Sequence, residues 1–498
     1  MAGSGTFTRR TALFGAGLVA GGLATRALSP SLPSLTGLQP MAPRPVPGRL
    51  NDASGLSETP VHSHITLTQD HGTALTDAIR AELREARMAG RCVNVGAARH
   101  SMGGQAIPRD GHAMTFDNAG IDLDTAARTM RVHAGTRWRD VIAVTDPLGL
   151  GPAVMQSNND FGVGATFCVN AHGWPVRRGP MGSTVREIEL ILPDGDRVTC
   201  SRDREAELFA MTMGGYGLTG IVTRLDVDLV PNQRLEPTFA QMPADDFATA
   251  FTTAIADDAV TMAYGRLNVD REAFMSQALL VTYRATADQS DLPPATGSGS
   301  AARIASRIYR AQLGRERMKD VRWWFETDLA PRVAGGPATR NSLINEPVAT
   351  LDDRDPARTD ILHEYFVSPD RFGEFLALCR AVIPGSYQEF LNVTLRFVDT
   401  DPDSWLAYAP VPRIAAVMSF SQEMTARAEA DMARMTQAMI DGIVAIGGTY
   451  YLPYRLHARP EQFAQAYPRA TAFVREKRRL DPGLLLRNAL WDTYLEAL

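Results

Sequence analysis

Cysteine is scarce in this chain of 498 residues: Cys92, Cys168, Cys200 and Cys379 are too few and too scattered for a disulfide framework or a paired CxxC zinc site. Each is expected as a buried thiol. An excess of basic residues is also missing. Lys and Arg number 51 against 56 Asp and Glu, a net charge of −5, so no basic stripe stands ready to neutralise phosphates and the composition argues against a nucleic-acid partner. Repeats of solenoid period are absent. What is plentiful is apolar material: 45% of the residues are hydrophobic, ample for roughly three domain-sized units or one large bilobal enzyme.

A long hydrophobic run is lacking too, and the N-terminus shows why that matters. Arg9-Arg10 precedes the weakly apolar stretch from Gly15 to Ala24, with no acidic residue before or within it. The run is short and glycine-rich for a membrane span, and Ala27-Leu28-Ser29 offers small residues for cleavage. Residues 1–29 therefore read as a twin-arginine signal engaging the Tat translocase, with a periplasmic or secreted destination; an uncleaved N-terminal anchor is the alternative. A GxGxxA pattern inside this stretch lacks the strand–turn–helix context of a dinucleotide fold. Residues 30–60, rich in Pro, Ser and Gly, read as a tether.

From 61 to 233 the chain alternates short helices and strands. Leu75, Ile79, Leu83 and Ala86 share one helical face, and a strand from Val93 leads into Gly96, Ala97, Ala98, Arg99, His100, Ser101 and then Gln105. Small residues in such a turn let backbone N–H groups approach a diphosphate. A second small-residue segment contains Gly162, Gly164, Thr166, Cys168, Asn170 and His172. Gly215 to Gly220 spells GxGxxG, but in the order helix, turn, strand, which is not the arrangement that aims a helix N-terminus at a pyrophosphate.

The loop ending in His100-Ser101, followed by Gly104-Gln105-Ala106, resembles the vanillyl-alcohol-oxidase-type (PCMH-type) flavoproteins, and among them the cytokinin dehydrogenases. The resemblance implies FAD as cofactor, with His100 as the covalent attachment point, and places the second segment, the start of the strand at Ile221, and Asn488 near the cofactor. Two departures stand out. Arg99 and Ala97 replace glycines, so the loop is not expected to use positive φ freely there. Cys168 follows the Val-Gly segment, whereas in doubly linked relatives the cysteine precedes it.

Residues 234–450 read as an α+β substrate (cap) domain with an antiparallel sheet, and 451–498 as a return to the FAD domain, giving an α+β fold overall. Phe390 to Val393, Gly447 to Tyr451 and Lys477 to Pro482 resemble the sugar-oxidising branch that includes decaprenylphosphoryl-ribose oxidase and alditol or aldonolactone oxidases. Strand alternation puts Asn392, Thr394 and Arg396 on one face. Glu364 is expected to partner Arg396 if their strands are neighbours, either as proton-handling groups or as a structural salt bridge. Tyr454 and His457 belong to a polar-aromatic cluster suited to sugars, at a place where the ribose-oxidase branch carries a functional lysine and this chain has none.

These readings converge on an exported FAD-dependent oxidoreductase that takes a hydride from a CH–OH carbon of a sugar, alditol or aldonolactone onto flavin N5. Its partners would be a small-molecule substrate and either oxygen or an exported or membrane electron acceptor. The alternatives are cytokinin-dehydrogenase-like oxidation of a secondary amine and a non-catalytic exported carbohydrate-binding protein.

Overall fold

The 3.6-residue spacing of Leu75, Ile79, Leu83 and Ala86 builds the helix Thr73–Met88, with those side chains buried along one stripe. The computed structural model describes residues 46–295, 308–333, 338–346, 355 and 357–498; the expected signal and the first part of the expected tether lie outside them. The helix stripe shares a core with Leu67, Val93, Met114 and Phe116. These come from a three-stranded parallel sheet in the order Ser63–Leu67, His112–Phe116, Val93–Gly96. Near-continuous burial of Val93–Gly96 and His112–Phe116 is what parallel strands covered on both faces require.

A second, six-stranded antiparallel sheet follows. Its order is Arg197–Ser201, Val185–Ile191, Ile221–Pro231, Thr129–His133, Ile121–Asp124, with Leu150–Pro152 on the far end of Ile221–Pro231. The expected hairpin and the helix–turn–strand order around Gly214–Gly220 are both present. After Pro231 the chain turns directly into Arg234–Pro243, the first long strand of an eight-stranded antiparallel sheet.

That third sheet runs Ala338–Thr339, Arg234–Pro243, Gln277–Ala285, Val260–Leu267, Glu389–Val398, Arg413–Glu423, Arg358–Val367, Thr449–Tyr450. The helices Phe247–Ile255, Phe372–Val382 and Ala426–Ala445 bury Phe251, Phe375 and Met435 in one core with Leu280, Leu395 and Ile361 of the strands. With helices occupying one face, polar side chains of the central strands emerge on the other. The last segment comes back to the first sheet: Val93 N–H donates to Leu485 O at 2.6 Å and Arg487 N–H to Val93 O at 3.2 Å.

Two expectations need correcting. Residues 46–60 are not a free tether: Arg49–Leu50 pairs with Thr59–Pro60, Asp52 accepts from Gly104 N–H at 2.8 Å, and Ala53 N–H donates to Arg99 O at 3.0 Å. Proline clusters suggested an unpaired chain, but the turn between the prolines carries Asn51, Asp52 and Ser54, whose side chains bind nearby backbone. All four cysteines are free, as expected, yet only Cys200 and Cys379 are buried; Cys92 and Cys168 are half-buried. Among the described residues no helix is long and apolar enough to cross a membrane.

Candidate active site

The strand Val93–Gly96 ends at the loop 96–101, and this loop forms one wall of a cleft with about 1530 Å³ of empty space, its open mouth included. Gly96, Ala97, Ala98, Arg99, His100, Ser101 and Gln105 line it, as do Gly162, Gly164, Thr166, Cys168, His172 and Ile221. From the eight-stranded sheet and the segment after it come Leu362, Glu364, Arg396, Val417, Tyr451 and Tyr454. The cleft thus joins the ends of the first two sheets to the polar face of the third.

The loop keeps a left-handed residue despite its arginine. Arg99 sits at φ 51°, a cost of about 1–2 kcal/mol for a side chain with a Cβ. Its guanidinium donates to Ala106 O at 3.3 Å and reaches Met114 O at 3.5 Å, and burial lowers its pKa to about 10. Positive φ is therefore used at Arg99, contrary to expectation, because the side chain is stapled back over the strand ends. Next to it, His100 Nε2 lies 3.9 Å from Asp160 Oδ2 and its ring packs on Phe161 with centroids 4.3 Å apart. A Cβ on Gly103 would come within 2.7 Å of Tyr454 O, so only glycine lets the loop pass the 450s segment.

Gln105 and Asn488 brace this loop. Gln105 donates to Leu452 O and Tyr454 O at 2.7 and 2.8 Å and accepts from Gly103 N–H. Asn488, off the cleft wall, donates to Gln105 O and Tyr216 O, both at 2.9 Å.

The second small-residue segment contains a short helix, Val163–Cys168, and a Cβ on Gly164 would meet Ala134 Cβ at 2.7 Å. Thr166 is held by Trp138 and Gly162. Burial pushes the Cys168 thiol up to about 12, which leaves it a neutral lining group rather than a nucleophile. Asn170, at φ 48°, does not line the cleft; it donates to Asp401 Oδ2 at 2.8 Å and accepts from Gly182 N–H, fixing the turn that brings His172 into the cavity.

His172 and Glu364 meet there. His172 Nε2 is hydrogen-bonded to Glu364 Oε1, the two residues are 4% and 3% exposed, and Tyr454 Oη donates to Glu364 Oε2 at 3.1 Å. Burial beside that carboxylate holds the Tyr454 hydroxyl well above its ordinary pKa, so it stays a donor. The condition for pairing Glu364 with Arg396 is not met, because their strands are not neighbours: Arg413–Glu423 lies between them, with Val417 opposite both Glu364 and Thr394. Arg396 donates instead to Ser157 Oγ at 2.7 Å. Its Nε and His172 Nδ1 are buried without a hydrogen-bond partner among the described residues, as expected of groups awaiting a polar ligand.

The rest of the expected polar face is spoken for. Asn392 Oδ1 accepts from Arg322 at 2.7 Å and Thr394 from Arg266. His457 stands off the cleft wall, bound to Glu429 Oε1 at 2.8 Å. Glu429 also holds Arg455, which donates to Met102 O at 3.1 Å, so this cluster clamps the loop from behind. Sequence reasoning missed Ser157 and Tyr216 on the wall, whereas Tyr451 belongs to the same polar-aromatic cluster as Tyr454; the polar run Gln156-Ser157-Asn158 before the small-residue segment was the available signal for the first.

An FAD molecule fits this arrangement: small residues and strand-end backbone form one end of an elongated cleft, and unpartnered polar atoms stand further along it. Residues 74–201 match the family described as FAD binding domain. The chain is 35% identical over 139 residues to an alditol oxidase of a Streptomyces species, covering 27% of this chain and 33% of the relative. It is 39% identical over 132 residues to cytokinin dehydrogenase 6 of Oryza sativa, covering 26% and 25%. Cytokinin dehydrogenase 2 of Arabidopsis thaliana is 31% identical over 160 residues, 32% and 31% of the two chains. The chain thus spans about a third or less of the length of these relatives in its matches.

Proposed function

We propose, from the premise that residues 74–201 are an FAD binding domain, that this chain is an FAD-dependent oxidoreductase acting on a CH–OH group of a sugar, alditol or aldonolactone. The observation that carries the reading is the His172–Glu364–Tyr454 group facing the cofactor cleft with Arg396 alongside. FAD, when bound, supplies the acceptor for the hydride. The protein's task is then to hold the alcohol oxygen, take its proton and keep bulk water out. Arg396, with Nε unsatisfied, binds the substrate oxygen. The Glu364–His172 pair accepts the hydroxyl proton, a carboxylate and an imidazole sharing one proton site across the cleft. Tyr454 keeps its hydroxyl proton and fixes Glu364. Tyr451 and Tyr216 present flat faces suited to a carbon skeleton bearing hydroxyls.

The reading includes a covalent bond from His100 to the flavin, export by the twin-arginine route, and oxygen or a membrane-associated electron acceptor as oxidant. The support for the first is His100's place on the cleft wall; for export it is the N-terminal sequence alone. The test is flavin bleaching without oxygen across polyols, aldoses, lactones and N-substituted adenines. Bleaching by a member of the first three groups is expected, and bleaching by the adenines alone overturns the substrate class. Purified protein that never retains flavin overturns the enzyme reading in favour of a binding protein.

A further inference from the structure

At the end of the parallel sheet opposite the cleft, two histidines and a carboxylate converge. His62 precedes the strand Ser63–Leu67, His112 opens the central strand His112–Phe116, and Glu85 comes from the helix Thr73–Met88. One ligand atom from each lies within 4.8 Å of the other two. The cleft is lined instead by Val95, Gly96 and Phe116, at the C-terminal ends of the strands, so the cluster belongs to a different place and serves none of the chemistry above.

His112 gives the cluster its direction. Its side chain is fully buried, its Nδ1 lies 2.9 Å from Glu82 Oε2, and its Nε2 has no hydrogen-bond partner among the described residues. A carboxylate on Nδ1 fixes the tautomer with the proton there and leaves the Nε2 lone pair pointing outward. That is the arrangement in which histidines hold metal ions, a carboxylate orienting the ring from behind. Left alone, a buried unpaired acceptor costs free energy that nothing near it offsets. The His62 ring faces it at a centroid distance of 5.0 Å, and Glu82 and Glu85, three apart on the helix, project from one side.

We propose that His62, Glu85 and His112 bind a divalent transition-metal ion, of which Zn²⁺ is the natural occupant, with water completing the shell. Two imidazoles and a carboxylate are a zinc ligand set. Tetrahedral ligands at about 2.0–2.2 Å from the metal stand roughly 3.4 Å apart, and the exposed side chains of His62 and Glu85 close that gap by rotation while His112 stays put. Their exposure also provides the entry path. The ion ties the long helix to two elements of the parallel sheet, so its role is structural, and no electron or group is transferred.

The experiment titrates Zn²⁺ into the full-length flavin-loaded protein, stripped with a chelator, by calorimetry, and records the visible bands of Co²⁺ bound in its place. One Zn²⁺ per chain at micromolar affinity or tighter is expected, together with a rise in melting temperature on loading. His62→Ala and Glu85→Gln, both at exposed positions remote from the cofactor, should each weaken binding at least about tenfold while flavin content stays unchanged; Glu82→Gln, acting through His112, should cost about 10–100-fold. Absence of stoichiometric uptake by the wild-type protein, or wild-type affinity in both His62→Ala and Glu85→Gln, overturns the site.

Discussion

At the scale of single residues, the cleft places its chemistry in groups whose partners come from distant parts of the chain. Glu364→Gln keeps the shape of the side chain and its bond from Tyr454 but removes the proton acceptor. Flavin reduction by a bound donor should slow by about 10²–10⁴-fold, read by stopped-flow bleaching, with the flavin spectrum unchanged; an unaltered rate would remove Glu364 from the chemistry. Arg396→Ala should weaken substrate binding or slow reduction while leaving flavin content and melting temperature nearly intact, since Arg396 lines the cleft and is held by Ser157 rather than by a buried ion pair. Loss of flavin or failure to fold would make it a structural cation. His100→Ala addresses attachment: acid-precipitated wild-type protein should keep its yellow colour in the pellet and the variant should release it. Colour wholly in the supernatant from the wild type excludes the covalent bond and leaves the FAD domain as it is.

At the scale of elements, the loop 96–106 is held from three sides, and each clamp was hidden from local reading. The hairpin 49–60 bonds to Gly104 and to Arg99 O, Arg455 reaches Met102 O, and Gln105 spans to the 450s backbone. Gly103 has no room for a methyl group against Tyr454 O. Gly103→Ala should therefore push the loop off that segment, costing about 1–3 kcal/mol as overpacking does, and lower the flavin-to-protein ratio of the purified protein. Full occupancy with wild-type stability would show that the loop has slack. Glycine and small-residue content announced this loop in the sequence. The hairpin was not announced, because its fixed conformation comes from side chains of Asn51, Asp52 and Ser54 binding backbone, a local pairing that periodicity does not report.

At the scale of the whole molecule, burial of titratable groups sets the response to acid. His363 is 4% exposed and burial lowers its pKa to about 3; burial likewise lowers His133 to about 4. Both take up a proton near pH 6.5 once the chain unfolds, so below that pH the unfolded chain binds more protons and stability falls, reaching its full loss only below the folded values. The slope is up to about 1.4 kcal/mol per pH unit for each histidine. Melting temperature should decline from pH 6.5 towards 4, and His363→Gln should flatten the decline; an identical slope in the variant would assign the effect elsewhere. By itself the sequence determined the helix Thr73–Met88, the strands that carry Glu364 and Arg396, the small-residue loop after Val93 and the α+β class, because each rests on a local period or a run of small residues that the chain must obey wherever it lies. Only the tertiary structure decided that His172 rather than Arg396 meets Glu364, that His457 turns to Glu429, and that His62, Glu85 and His112 gather at the far end of the parallel sheet. Those pairings depend on strand order, and strand order is set by burial of whole faces against one another, which no local stretch encodes.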